Sequence, residues 1–286
     1  MIRILIAPTT FEILASQDGQ NPYIHSDGPL SKTKACTQHA SLARTLSESR
    51  VYTLNPTTVF LPDIVFSANA GLALPRLASP CVLLPNMKYA QRKDELPFLQ
   101  TMFQSLRIRT IPYPGKEPFE GQAELKWFHG GRKAVCGYGH RSTRKTFKEL
   151  DAFFKQLYGI RNAPELLILP IASEDFYHLD FAMFEYAKDS SEVNRCIVHR
   201  RAFSTTSLQR LRTFLGHDNV TVLDTEDTFC LNAIADGPHM ITHTLTDPTL
   251  KRRLETWTGL RVLQVPITEF EKSGGSVRCM VLDILA

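Results

Sequence analysis

Short apolar runs rich in Val, Ile and Leu alternate with longer amphipathic stretches from one end of the chain to the other. This alternation is the strongest constraint on the fold. An apolar run bounded by turn residues has to be covered, and a helix with one apolar stripe supplies the cover. The runs predict strands over residues 2–7, 59–66, 81–84, 134–136, 166–169, 181–186, 196–199, 220–223, 261–265 and 278–284. Helices are predicted over 32–47, 92–105, 143–158, 204–215 and 248–257. In the third of these, Phe147, Leu150, Phe153, Phe154 and Leu157 recur at helical spacing. Ser142 or Thr143 caps its start and Gly159 ends it. Gly216 and Gly259 end the next two helices, and Pro248 suits a first turn. With no low-complexity linker or constant-period repeat, residues 1–286 read as one α/β domain. Local pattern suggests a doubly wound sheet and equally allows a circular array of small mixed units, because both use the same elements.

Composition narrows the partners. Apolar residues make up 43% of the 286 residues and charged residues 22%, the balance of a globular chain that can bury a core. A net charge of +4 is too small to argue for nucleic acid. The one dense basic stretch, from Gly139 to Lys145, is short and reads as a solvated loop and helix start. No apolar stretch is long enough for a membrane span or a signal-peptide core. Cys36, Cys81, Cys136, Cys196, Cys230 and Cys279 are scattered without a Cys-x-x-Cys pair, so a reduced, cytoplasmic setting is expected rather than a disulfide framework.

Four segments place polar residues, most with glycine, beside a predicted strand. They are Pro62-Asp-Ile-Val-Phe-Ser-Ala-Asn-Ala-Gly71, Pro118-Phe-Glu-Gly-Gln-Ala-Glu124, Phe176-Tyr-His-Leu-Asp180 and Ser273-Gly-Gly-Ser-Val-Arg-Cys279. Cys279, after a Gly-Gly turn and opening a predicted strand, is the nucleophile candidate, although a buried strand cysteine has the same local signature. His178 titrates near neutrality and suits acid–base work. Asp180 is placed on the same strand face by its two-residue spacing, and the pair equally fits a hydrogen-bonded turn. Glu120 and Glu124 can grip a guanidinium through paired charge-assisted bonds, or stand as loop acids. Asp63, Asn69 and Asn21 add acceptors, and Arg141 can hold a carboxylate at the other end of such a substrate. Gly137-Tyr-Gly139 lacks the ending of a phosphate loop. No compact spacing supplies a metal-ligand set, and His239 and His243 are assigned a structural role.

The four segments, in this order, resemble the pentein family of guanidino-group-modifying enzymes, which includes arginine deiminases, dimethylarginine dimethylaminohydrolases, amidinotransferases and arginine dihydrolases. The likeness runs from Phe11 to Cys279. It is similar above all to the dihydrolase branch, through Val65-Phe-Ser-Ala-Asn-Ala-Gly-Leu72, Gln20-Asn-Pro-Tyr23 with Lys32-x-x-Ala35, and Gly137-Tyr-Gly-His-Arg141. The resemblance implies an α/β-propeller of five ββαβ-type units about a pseudo-fivefold axis, with the site at its centre. It implies Cys279 as nucleophile, His178 as acid and base, Glu120 and Asp180 as guanidinium-binding acids, and Asn21, Asp63, Asn69, Glu124, Arg141 and Ser276 as the substrate-binding set.

The implied reaction is hydrolysis of L-arginine to ornithine, ammonia and carbon dioxide, with no cofactor or metal required. Partners are then a small guanidino substrate and, as an open option, further copies of the chain. Asn69 stands where deiminases carry aspartate. Being neutral, it suits the uncharged ureido group of an intermediate. Glu124 replaces a usual aspartate, Phe11-Glu12 replaces a usual Tyr-Phe pair, and Ser276 replaces a third glycine. Hydrolysis of methylated arginine, single-round deimination, amidino transfer and arginine binding without catalysis are the alternatives.

Overall fold

The computed structural model describes residues 1–24, 29–56, 59–187 and 192–284. Five three-stranded sheets follow one wiring rule. In each, a first strand pairs antiparallel with a middle strand, and the middle strand pairs parallel with a third. The first sheet joins β15 (Leu282–Ile284), β1 (Ile2–Ile6) and β2 (Arg50–Leu54), so strands from near both ends of the chain complete one unit. The second holds β3 (Leu72–Ala73), β4 (Cys81–Leu83) and β5 (Arg109–Ile111). The third holds β6 (Leu125–Phe128), β7 (Lys133–Tyr138) and β8 (Glu165–Pro170). The fourth holds β9 (Met183–Tyr186), β10 (Arg195–His199) and β11 (Val220–Leu223). The fifth holds β12 (Ile234–Asp236), β13 (His239–His243) and β14 (Arg261–Val265). These are the five ββαβ-type units expected of the pentein α/β-propeller.

A parallel pair needs a crossover, and a helix supplies it in every unit. The crossovers are Lys32–Thr45, Leu96–Ser105, Arg144–Tyr158, Thr205–Leu215 and Pro248–Thr258. Their starts are written in the sequence. Ser31, Thr143, Ser204 and Asp247 each accept a bond from a backbone N–H of the first turn. Gly159, Gly216 and Gly259 stop three of the helices at positive φ. Burying apolar side chains such as Phe103, Phe147, Phe154 and Leu211 under these helices contributes roughly 1.5–3 kcal/mol apiece.

Several predicted elements change shape. Residues 59–66 form no strand. Pro62 lacks a donor, and the N–H groups of Ile64 and Phe66 bond back to Leu61 and Asp63 in tight turns. Leu61, Ile64, Val65 and Phe66 are apolar because this loop is buried. The predicted 92–105 helix is two, Ala90–Lys93 and Leu96–Ser105, divided just ahead of Pro97. The predicted strands at 181–186 and 278–284 each begin one helical turn late, as β9 and β15.

Those late starts obey a second rule. Connections between units make a short helical turn immediately ahead of the next first strand. The turns are Ser67–Ala70 before β3, Gly121–Ala123 before β6, Leu179–Ala182 before β9 and Arg278–Met280 before β15. A turn around Leu231 precedes β12. Asn69, Glu120, Glu124, His178, Asp180 and Cys279 sit on or beside these turns, whereas Asn21 and Arg141 lie on loops within their units.

Candidate active site

The nucleophile candidate is held by its own loop and by the fifth unit. Gly274, at φ +83°, lies so close to Asn21 that a Cβ would stand 2.7 Å from Asn21 Oδ1, and a Cβ on Gly275 would collide with Phe66. Two glycines therefore let this loop press against the rest of the site. Cys279 follows on the turn before β15, 5% exposed. Asn232 brackets it. Its Oδ1 accepts from the backbone N–H of Arg278 (2.8 Å) and of Cys279 (3.2 Å), while its Nδ2 donates to Cys279 Sγ (3.3 Å). Asp180 Oδ2 lies 3.8 Å from the same sulfur. Burial, and then the neighbouring Asp180 charge, push the Cys279 thiol well up, against the pull of Ser276 and Asn232. Without a cation beside it, this sulfur keeps its proton.

The acid–base side is crowded with charge. Glu120 is fully buried at the head of the Gly121 turn. A Cβ on Gly121 would stand 2.5 Å from the Gly71 carbonyl oxygen, so only glycine allows the third unit's turn to rest on the second's. Glu120 Oε2 faces both His178 Nε2 and Arg141 Nη1 at 2.8 Å, and Oε1 accepts from the backbone N–H of Lys88 (3.2 Å). Burial raises the Glu120 carboxyl, but Arg141, His178 and Arg92 outweigh it and hold the group well below the carboxylate range. Glu124 goes the other way. Burial and the adjacent Glu120 charge push it well above that range, so it favours the protonated form. His178 is lowered chiefly by burial, which the bond to Glu120 offsets only in part. At neutral pH it is an uncharged imidazole able to accept a proton. Asp180 is raised by burial against the pull of His178, Lys126 and Arg278.

Asn21, Asp63, Asn69, Arg141, His178 and Cys279 border one narrow cavity. Glu120, Glu124 and Asp180 stand behind its wall. Asn21 is already engaged, donating to the Ser273 carbonyl (3.1 Å) and accepting from the N–H of Tyr23 (2.9 Å). Asp63 accepts from Gln17 Nε2 (2.6 Å), and its carboxyl is raised by burial against Arg92. Asn69 is fixed at both ends. Its Nδ2 donates to the Glu120 carbonyl (3.1 Å) and its Oδ1 accepts from Arg92 Nη1 (2.8 Å). Ser276 is fully buried, its hydroxyl has no partner among the described residues, and it does not border the cavity.

Two sequence expectations need correction. His178 and Asp180 do not share a strand: His178 caps the turn Leu179–Ala182 and Asp180 lies within it. Cys279 sits one turn ahead of its strand. The Arg141 guanidinium rests on Glu120, with its carbon 4.8 Å from the Tyr89 ring centre and 5.0 Å from that of Tyr177.

Sequence reasoning missed Asn232 and Arg92. Arg92 is buried, bidentate on Glu95 and bonded to Asn69. The missing signal for Asn232 was positional, since it stands just before a first strand as Asn69, Glu120, His178 and Cys279 do. His243 has the structural role expected of it, between Glu271 Oε1 (2.8 Å) and Asp227 Oδ2 (3.0 Å). Among the described residues no group of three or more His, Cys, Asp and Glu side chains could hold a metal. No helix there is long and apolar enough to cross a membrane.

No family model matches the chain. It is 28% identical over 258 residues to the bifunctional arginine dihydrolase/ornithine cyclodeaminase AgrE of Nostoc sp., an alignment spanning 89% of this chain and 34% of that protein. The chain thus spans about a third of the length of the first curated relatives it matches. It is 25% identical to the N(G),N(G)-dimethylarginine dimethylaminohydrolase of Mycobacterium tuberculosis, over 78% of this chain and 67% of that one. The crystal structure of the N-terminal domain of ArgZ, an arginine dihydrolase, with bound substrate superposes with a TM-score of 0.82 at 24% identity, covering 98% and 97% of the two chains. A superposition at that identity speaks for the fold alone. Five ββαβ units with a buried Cys, His and paired acids at their connections, together with these relatives, bear out the resemblance of the chain to the pentein family of guanidino-group-modifying enzymes.

Proposed function

We propose that this chain is a cysteine-dependent guanidino hydrolase and that it acts as an L-arginine dihydrolase, with residues 1–286 as one catalytic unit. The observation that carries the reading is the pairing of Cys279 with Asp180 and of His178 with Glu120 at one narrow cavity that Cys279, His178 and Asp63 border. Two buried acids suit a planar cation that donates in pairs. The dihydrolase relatives favour arginine over its methylated forms.

Glu120 and Asp180 orient the guanidinium, and its charge next to Cys279 opposes the burial that keeps the thiol protonated. The thiol proton passes to neutral His178, and the sulfur attacks the guanidinium carbon, forming a C–S bond. His178 returns the proton to the departing nitrogen and ammonia leaves. His178 then takes a proton from water, the hydroxide adds to the carbon, and the C–S bond breaks to give citrulline. A second round on the ureido group consumes another water. The sum is arginine plus two waters giving ornithine, two ammonia and one carbon dioxide. Neutral Asn69, held by Arg92 and the Glu120 carbonyl, tolerates the uncharged intermediate better than an aspartate does.

Product analysis by mass spectrometry tests this, with L-arginine and, separately, asymmetric dimethylarginine, against Cys279→Ala. Cys279-dependent ornithine from arginine is the expected result. Citrulline alone from arginine makes the chain a deiminase, and product from the methylated substrate only makes it a dimethylaminohydrolase. Arginine that binds without any Cys279-dependent product overturns the hydrolase reading.

A further inference from the structure

The site holds a guanidinium of the chain's own. Arg141 Nη1 takes Glu120 Oε2 at 2.8 Å, the same oxygen that faces His178, and its carbon sits between the rings of Tyr89 and Tyr177. Its remaining contacts are poor. Nη2 reaches the Gln20 carbonyl at 3.3 Å, and Nε is buried without a partner among the described residues. A fork of donors engaged mainly through one strong contact is ready to exchange that contact for a better acceptor. The other nearby cation, Lys88, turns its ammonium to the His140 carbonyl and meets Glu120 only through its backbone N–H.

We propose, resting on the guanidino reading above, that Arg141 is a specificity filter that works by partner exchange. It holds Glu120 and yields that carboxylate only to a guanidine that brings a carboxylate of its own. Two guanidinium groups cannot share one buried carboxylate without leaving a buried cation uncompensated. L-Arginine resolves the conflict, since its guanidinium takes Glu120 while its α-carboxylate takes the released Arg141. A guanidine without a carboxylate offers Arg141 nothing, so it binds only the small fraction of molecules in which Arg141 has already left. Arg141 thereby rejects the decarboxylated analogue by staying where it is.

The test is calorimetric binding of L-arginine and of agmatine, which is arginine without its carboxylate, to the Cys279→Ala protein with and without Arg141→Ala. Opposite signs are expected. Agmatine should tighten about tenfold or more on removal of Arg141, as the population penalty is lifted. L-Arginine should weaken by at least about as much, because it loses its carboxylate partner. If agmatine affinity is unchanged while L-arginine weakens, Arg141 is an anchor without a filter. The exchange is then overturned while the proposed function stands. If neither ligand binds the protein that retains Arg141, the guanidino reading and the filter fall together. Arg141→Met, which keeps the packing against both tyrosines, is run beside Arg141→Ala, with circular dichroism to establish folding. A folded Met variant without tighter agmatine binding also overturns the proposal.

Discussion

Two buried ion clusters sit on the same five-unit frame and are built to different standards. At one, Arg3 uses every nitrogen: Nε to Asp283 (2.9 Å), Nη1 to Asp236 (2.7 Å) and Nη2 to the Ala235 carbonyl (2.6 Å). Asp236 is completed by the backbone N–H of Glu48 (3.0 Å) and the hydroxyl of Ser49. This cluster staples β1, β12 and β15. At the other, around Glu120, Glu124 Oε1 and Arg141 Nε are buried with no partner among the described residues, as is Asp180 Oδ1 on the Cys279 side. Stranding a buried polar atom costs roughly 1–3 kcal/mol. Arg3 itself leaves no nitrogen over, although Arg278, which shares Asp283 with it, has its Nε buried without a partner among the described residues; the polar groups around the cavity are the less completely matched set.

The largest expected difference between the clusters is in activity. Glu120→Gln removes both the grip on the guanidinium and the partner of His178. It should lower kcat/KM by about 10³-fold or more, equivalent to about 4 kcal/mol, in steady-state kinetics. Arg3→Met should do the reverse. Breaking the stapled cluster leaves two acids short of a cation, at a cost of about 3–5 kcal/mol in denaturant unfolding, while kcat per folded molecule stays within about twofold. If Arg3→Met damages kcat as much as Glu120→Gln does, the clusters are not separable and the contrast fails.

His243 extends the comparison to a satisfied cluster beside the nucleophile, because it ties Asp227, near Asn232, to Glu271, near the Gly274 turn. Burial lowers its pKa, but the two carboxylates overcome that and raise it from 6.5 to about 9. The stability it contributes is therefore full below 6.5 and is lost as pH rises through about 9. His243→Gln should cost on the order of 3 kcal/mol at neutral pH and almost nothing at higher pH. Melting temperatures measured across that window check it, and parallel curves for the two proteins would remove the imidazolium from the account. The smallest effect belongs to Glu124→Gln. Since Glu124 already favours its neutral form, stability should change by less than about 1 kcal/mol, and a large loss in chemical denaturation would mean that the carboxylate is charged.

The outer layer of this fold is legible in the sequence and the inner layer is only partly so, for a physical reason. The crossover helices have whole turns of apolar periodicity, side-chain caps at Thr143 and Ser204, and glycine stops. Middle strands such as β1, β7 and β10 are buried on both faces and read as apolar runs. First strands such as β3 and β12 are two or three residues long, too short for any period to register. The buried loop at Leu61–Phe66 mimics a strand because burial, whatever the backbone does, selects apolar side chains.

Within the site, Glu120, His178 and Cys279 stood out because glycine or a neighbouring acid marked their segments. Asn232 sits in Thr-Phe-Cys-Leu-Asn-Ala with neither mark, and only the repeated wiring of the units identifies its place. Arg141 was found, but its bond to Glu120 was not. A long charged side chain is placed by the charges that fold around it.

The most direct test of the central claim is to quench the protein during turnover of L-arginine and map the Cys279 peptide by mass spectrometry. The account predicts a covalent amidino adduct on Cys279 that forms and decays within a turnover, and no product from Cys279→Ala. Product released at the normal rate with Cys279 unmodified throughout, or undiminished product from Cys279→Ala, would contradict it.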